Sequence, residues 1–379
     1  MATAAAAVTG TAGIMANADE ATAAAASPAA ASGPTSYPDF GTVLTAAQLT
    51  DGFIAPIDNL GLIAVAGADA ATFLHGQLTN DVANLPPGAV RLAGYCTPKG
   101  RLQATMLMWR GSAASAEAGD AAPAEAIYLQ VPLAIQPAFQ KRLSMFVMRA
   151  KAKLLDATRD PQHAVVLGLG GARAEQALRQ HTATALPPAP YTAVQQAAGM
   201  LLRVADAFGA PRYLWLMPAE TALRVLPTLK ETLALGGTDA WELSGIHAGI
   251  AQVTNATIEQ FVPQMINLEL VGGVNFKKGC YPGQEIVARS QYLGKLKRRT
   301  ALATIADPAA AAGQELFSLD DPAQPCGMVV NAAPNGAGGV DALVEIKLAA
   351  LEQSVHLGST TGARVEFLAM PYSLDALDL

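Results

Sequence analysis

From Leu60 onward the apolar residues come in short runs whose period keeps changing, and only a mixed α and β fold accommodates such a pattern. Residues 61–66 read as a strand and 70–78 as a helix, with Phe73, Leu74 and Gln77 at helical spacing. Apolar runs at 90–96 and 101–109 flank Thr97-Pro98-Lys99-Gly100. Pro followed two residues later by Gly marks a turn, so the spacing predicts a β-hairpin. A strand at 127–131 and a helix at 133–143 follow. Next come a strand at 164–169, a helix at 172–181, strands at 201–204 and 213–217, and a helix at 220–235. That order suggests a split βαβ, ferredoxin-like unit whose last strand must be short or borrowed. Residues 241–250 read as helix. Beyond Thr300, runs at 301–305, 326–330 and 343–347 lie between Gly, Pro and Asp clusters, which predicts a small all-β barrel.

Composition narrows the function classes. Hydrophobic residues make up 51% and charged residues 15%, enough for a large core. Residues 1–37 are the exception: Ala, Thr, Ser and Gly with few large apolar side chains, expected to be a disordered tail. A second low-complexity piece, 111–124, is expected to be a loop insertion. The mean hydropathy of +0.26 comes largely from alanine. No apolar run reaches the roughly 18–20 residues that span a bilayer, so no membrane partner is expected. No Lys or Arg precedes Arg91, whereas seven Asp and Glu do. Secretory and transit signals need basic residues, so the expected location is cytoplasmic. A net charge of −6 excludes a globally basic nucleic-acid surface. Cys96, Cys280 and Cys326 are far apart with no C-x-x-C spacing, so no metal site is expected.

The densest chemical signal is the stretch from Asn275 to Arg299, N-F-K-K-G-C-Y-P-G-Q-E-I-V-A-R-S-Q-Y-L-G-K-L-K-R-R. Cys280 lies between Gly279 and a Tyr281-Pro282-Gly283 turn with type II chemistry. The glycines leave the sulfur uncovered. Lys277 and Lys278 precede it and a helix over 284–292 is expected to follow; a cation and a helix N-terminus both favour thiolate. The alternative is a small buried residue in a turn. The segment also carries seven basic residues (Lys277, Lys278, Arg289, Lys295, Lys297, Arg298, Arg299) against Glu285 alone. It reads either as an anion-binding surface or as a solvated charged turn.

Lys278-Gly279-Cys280-Tyr281-Pro282-Gly283-Gln284-Glu285 resembles the K-G-C-[FY]-x-G-Q-E signature of the YgfZ family, folate-binding relatives of the T-protein (aminomethyltransferase) of the glycine cleavage system. Further stretches are similar to the family in the same order. They are Phe73 to Val82 (F-L-H-G-Q-L-T-N-D-V), Tyr95 to Arg101 (Y-C-T-P-K-G-R), Ile246 to Ile250 (I-H-A-G-I), Phe261 to Gln264 with Asn267 and Leu268, and Cys326-Gly327. The resemblance runs from about Leu60 to Glu366. It implies an α+β, T-protein-like fold: three domains around a central cavity that takes tetrahydrofolate or a derivative. Mapped onto this chain, the core comprises 38–158 and 238–299, the ferredoxin-like domain 159–237 and the C-terminal barrel 300–379. The implied cofactor-binding residues are Gln77, Thr79, Asn80, Asp81, Lys99, Gln103, His247, Gln264, Asn267 and Arg289. The implied reactive loop is Cys280 with Lys278, Tyr281, Gln284 and Glu285.

The chain departs from the T-protein pattern twice. The catalytic aspartate after the hairpin has no counterpart in Leu102-Gln103-Ala104-Thr105. Gln103 can hydrogen-bond but cannot act as a base, which argues against classical aminomethyl transfer. The relatives' R-I-E-A-G stretch is here Gly245-Ile246-His247-Ala248-Gly249. His247 replaces an acid, so the pterin sits differently, binds more weakly, or meets another carboxylate such as Glu242 or Glu259. The resemblance implies an accessory protein for iron–sulfur cluster assembly or repair, serving iron–sulfur client enzymes and, through them, tRNA modification. A folate-dependent one-carbon transferase and a direct tRNA binder using the 277–299 patch are the alternatives.

Overall fold

The computed structural model describes residues 40–113, 124–182, 184–292 and 296–374. The expected tail, most of the 111–124 insertion, and Lys295 lie outside them. Strands β1–β17 and helices α1–α7 are numbered in chain order.

The first sheet has five strands in the order β3 (Val90–Cys96), β4 (Leu102–Ala113), β5 (Ala124–Pro132), β2 (Leu60–Ala66) and β6 (Lys153–Asp156), all antiparallel. Strand alternation gives it two different faces. Ile63, Val65, Leu129 and Val131 pack with Leu74 of α2 (Ala70–His75) and Phe139 of α3 (Gln136–Ser144). Their neighbours Leu62, Ala64 and Tyr128 join the core on the other side. The expected hairpin is β3–β4, with Gly100 at φ +72° closing the turn. The expected 70–78 helix stops at His75, and Leu78 instead bridges to Tyr95.

The second sheet runs β11 (Ala234–Leu235), β1 (Phe53–Pro56), β7 (Val165–Gly170), β10 (Ala210–Met217), β9 (Gly199–Ala207), β8 (Thr192–Gln196). Here the borrowed strand is β1, taken from well upstream and paired antiparallel to β7. The glycines of V-V-L-G-L-G make room for it and for α6 (Thr238–His247). A Cβ on Gly170 would stand 2.4 Å from the Phe53 ring, and one on Gly168 2.5 Å from the Trp241 ring. Helices α1 (Ala46–Asp51), α4 (Ala174–Arg179) and α5 (Ala219–Thr232) accompany this sheet. The expected 220–235 helix ends at Thr232 because residues 234–235 leave it to pair with β1.

The third sheet is a closed barrel in the order β12 (Arg298–Ile305), β15 (Val340–Lys347), β14 (Gly327–Pro334), β13 (Glu315–Ser318), β16 (Val355–Leu357), β17 (Arg364–Leu368), with β17 returning to β12. Closure removes both edges, and Ala303, Leu316, Val329 and Ile346 fill the interior. Helix α6 packs on β14, β15 and β1 and so ties the barrel to the second sheet. A 3₁₀ turn (Pro263–Ile266) and α7 (Gln284–Tyr292) complete the chain. No helix among the described residues is long and apolar enough to cross a membrane.

Candidate functional site

Two regions collect chemistry. The first is a cavity of about 660 Å³ lined by all three sheets: β3, β4 and β5 on one side, β9 and β10 on another, β14 on a third, with α6 along its wall. Its lining is mostly apolar, with a few convergent polar groups. Glu242 of α6 faces it and accepts a hydrogen bond from Asn59. Burial raises the Glu242 carboxyl above its ordinary range, against the Asn59 bond, and Asp239 and Asp58 push the same way. Arg212 enters from β10. Its Nε donates to Ser244 Oγ at 2.9 Å and its guanidinium lies 4.1 Å from the Trp241 ring centroid. Burial pushes Arg212 down to about 9, still charged at neutral pH, with Tyr191 and Asp206 acting in the opposite direction. Gly245 opens the wall beside it: a Cβ there would sit 3.5 Å from Arg212 Nη2.

Two further polar atoms at this cavity are buried with no hydrogen-bond partner, the Tyr191 hydroxyl and Gln130 Oε1. Tyr191 also holds φ +61°, uncommon for a non-glycine residue. Buried polar groups are normally paired, so these orphans mark a place where a ligand or water completes the bonding.

The second region is the Cys280 loop. Gly283 has φ +79°, the left-handed third position of a type II turn, and α7 begins immediately after it. A Cβ at Gly283 would lie 2.4 Å from the Thr97 carbonyl oxygen and 2.7 Å from Gly100 Cα. The two glycine turns, T-P-K-G and Y-P-G, therefore pack backbone to backbone. Cys280 is exposed, whereas Cys96 and Cys326 are buried. Tyr281 is buried, Gln284 half-buried and Glu285 exposed.

Lys278 does not stand beside the sulfur as a solvated cation. Its side chain turns inward, where Nζ donates to the carbonyls of His75 at 2.6 Å and Leu78 at 3.0 Å and lies 4.8 Å from the Tyr281 ring centroid. It caps the C-terminal end of α2, as a cation does at that end of a helix. Burial pushes it down to about 8, partly offset by Asp81 and Cys280. The rest of the described 277–299 basic cluster divides: Lys277, Arg289 and Lys297 are exposed, and the last two residues are engaged in ion pairs. Arg299 is buried against Glu269 and the Gln264 carbonyl, and Arg298 pairs with buried Glu345 at 2.6 Å. A barrel strand begins there, and the two neighbouring arginines, on opposite faces of it, each meet a buried carboxylate.

None of the ten residues the resemblance implies for the cofactor lines the cavity. Four of them bond backbone carbonyls instead. Thr79 Oγ1 donates to the Gly273 carbonyl and accepts from Gly94 N–H, both at 2.7 Å. Asn80 Nδ2 donates to Leu92 and Gly272 carbonyls, both at 2.7 Å. Gln264 Nε2 donates to the Val287 carbonyl at 2.8 Å, and Asn267, at φ +56°, to the Thr300 carbonyl at 2.9 Å. Asp81 sits 3.2 Å from His75 Nδ1 and accepts from Asn84. Gln77 is half-buried, and Lys99 and Arg289 are exposed. Gln103 Nε2 donates to Glu259 at 2.7 Å, and neither residue reaches the cavity.

His247 also points away from the cavity. Its Nε2 is 2.6 Å from Asp341 Oδ2 on β15, and its ring stacks on Phe208 at 4.4 Å. Burial alone would raise Asp341; hydrogen bonds from His247, Asn335 and Thr304 outweigh it and hold the carboxyl below its ordinary range. His247 thus joins α6 to the barrel.

Of the two substitute carboxylates the sequence offers, Glu242 is the one at the cavity. Arg212, Tyr191 and Gln130 are not found by motif. The available signal is a polar residue inside an otherwise apolar strand, as in A-P-R-Y-L-W-L-M and Y-L-Q-V. Among the described residues no group of His, Cys, Asp and Glu is placed to hold a metal ion.

Comparison with known proteins shows what this architecture is. No protein-family model matches the chain. It is 33% identical over 265 residues to the tRNA-modifying protein YgfZ of Klebsiella pneumoniae (strain 342), covering 69% of this chain and 74% of that one. The chain belongs to the YgfZ family. The YgfZ protein of Yersinia enterocolitica matches over more of the length, 29% identical over 337 residues, 88% of this chain and 96% of the relative. Among solved structures, glycine cleavage system aminomethyltransferase T from Bartonella henselae superposes with a TM-score of 0.65 over 86% of both chains, at 16% identity. The fold is therefore T-protein-like. The Cys280 loop and the cavity occupy different places: no residue of 275–285 lines the cavity.

Proposed function

We propose that this YgfZ-family chain binds tetrahydrofolate or a derivative in the central cavity and supports iron–sulfur enzymes in the cytoplasm, tRNA-modifying ones among them, through the exposed thiol of Cys280. The observation that carries the folate half is the polar set inside a largely apolar cavity: a carboxylate, a buried guanidinium and two orphaned polar atoms. Glu242 and Gln130 Oε1 are acceptors for ring and amino N–H groups. The Tyr191 hydroxyl and Arg212 are donors for carbonyl or carboxylate oxygens. A pteridine with a glutamyl tail has both kinds of group on a flat apolar frame, which suits a cavity of this size and character. When bound, tetrahydrofolate supplies ring nitrogens that carry one-carbon units. The names of the relatives support the tRNA-modification half, and the exposure of Cys280 supports a role for its sulfur toward a partner. Gln103 commits its amide to Glu259 away from the cavity, so this reading contains no aminomethyl step. Burial of Lys278 and Arg299 leaves Lys277, Arg289 and Lys297 as the exposed cations of the described 277–299 stretch, which weakens the direct tRNA reading.

Anaerobic calorimetry of the full-length chain with tetrahydrofolate tests the first half. Saturable one-to-one binding is expected, weakened about tenfold by Glu242→Gln, which is roughly one charge-assisted hydrogen bond. No binding by folded protein removes the folate half. For the second half, Cys280→Ser is expected to lower iron–sulfur enzyme activity in cells; full activity would overturn the thiol role.

A further inference from the structure

The turn between α3 and β6 carries a feature that neither the cavity nor the Cys280 loop explains. Met145, Phe146 and Met148 lie within four positions and are 61%, 47% and 86% exposed. No other part of the described chain exposes three large apolar side chains so close together. The surrounding sequence is cationic. From residue 126 to 155 there is no Asp or Glu, while Lys141, Arg149, Lys151 and Lys153 are all exposed. In a chain of net charge −6 this is a local reversal of sign.

The turn is built rather than loose. Val147 packs inward against the core beneath α2 and α3. Backbone bonds run from Phe146 N–H to Leu143 at 3.0 Å and from Ala150 N–H to Val147 at 2.7 Å. Asp69 pins the far end: its carboxylate accepts from Lys151 N–H at 2.7 Å, and its own N–H donates to the Lys151 carbonyl at 3.1 Å. Met148 sits at φ +40°, in the left-handed region, with its side chain directed to solvent. Backbone strain that presents an apolar side chain outward gains nothing for the fold, and such strain gathers at binding sites.

We infer that this turn is a docking knob for a protein partner that offers an apolar pocket with an acidic rim. Met and Phe with Arg are the residue types enriched at protein interfaces. Two methionines give a contact that adapts to partners of differing shape, and the lysines and arginines supply complementarity to acidic side chains. A phosphate backbone would use the cations but leave the apolar trio uncovered, and the turn has a single aromatic ring for base stacking. The inference stands apart from what the cavity binds.

The test places a benzophenone cross-linker at position 148 of the full-length chain in living cells, with the same group at the exposed Leu223 of α5 as control. The expected result is a restricted set of acidic protein adducts at 148 that is absent at 223. Each adduct partner, purified, should bind the unmodified chain with an affinity that falls with salt and drops at least tenfold in the Phe146→Ser, Met148→Ser double variant. The side chains are exposed, so the variant's melting temperature should be unchanged. The inference is overturned if position 148 yields nothing beyond position 223, if the adducts are RNA or lipid, or if the purified partner binds the double variant as tightly.

Discussion

The central cavity and the Cys280 loop are made in opposite ways. The loop is local: one continuous stretch supplies the turn, the thiol and the helix that follows, and its neighbours fix it by backbone contacts with Thr97, Gly100, His75 and Leu78. The cavity is non-local: Glu242, Arg212, Tyr191 and Gln130 come from distant parts of the chain and meet only when three sheets pack. A motif can therefore mark the loop while leaving the cavity's residues unmarked. Position 247 carries a histidine that serves the barrel contact, and Glu242 presents a carboxylate to the cavity from the same helix.

If this division is right, damage to the loop and its supports should leave folate affinity alone. The largest effect should come from Arg299→Met. It strands Glu269, which burial already raises, and should cost about 3–5 kcal/mol of stability by denaturant unfolding. Lys277→Met, at an exposed position, should cost under about 0.5 kcal/mol. Equal effects would mean the basic cluster is a surface after all. Gly283→Ala should come next, at about 1–3 kcal/mol, because both its φ of +79° and the nearby Thr97 carbonyl reject a Cβ. Its tetrahydrofolate affinity, once folded, should match wild type.

The effect at Lys278 is read as a pH slope. Its protonation falls from 10.5 to about 8 on folding, through burial. Between those values the unfolded chain binds more protons, so stability rises with pH across that window. Lys278→Met should flatten that rise in unfolding curves taken from pH 8 to 10.5; an unchanged slope would place the ammonium in solvent.

The same contrast accounts for what could be read from sequence. The hairpin, the Y-P-G turn with α7, and the barrel class are legible because turn chemistry and apolar period are local signals. Thr79, Asn80, Gln264 and Asn267 are conspicuous polar residues inside motifs, yet they bond backbone carbonyls. A motif shows that a side chain is needed but not whether the need is structural. Strand β1 illustrates the other limit: four residues carry little periodicity, and only the glycines of β7 reveal that something must pack on them.

The most direct test is the alkylation rate of Cys280 with and without saturating tetrahydrofolate. The other two cysteines are buried, so the reaction reports on this thiol. The two-region account predicts the same rate in both conditions, because the cavity and the loop share no lining residue. Protection of Cys280 that tracks the folate binding curve would contradict it and place the thiol over the ligand.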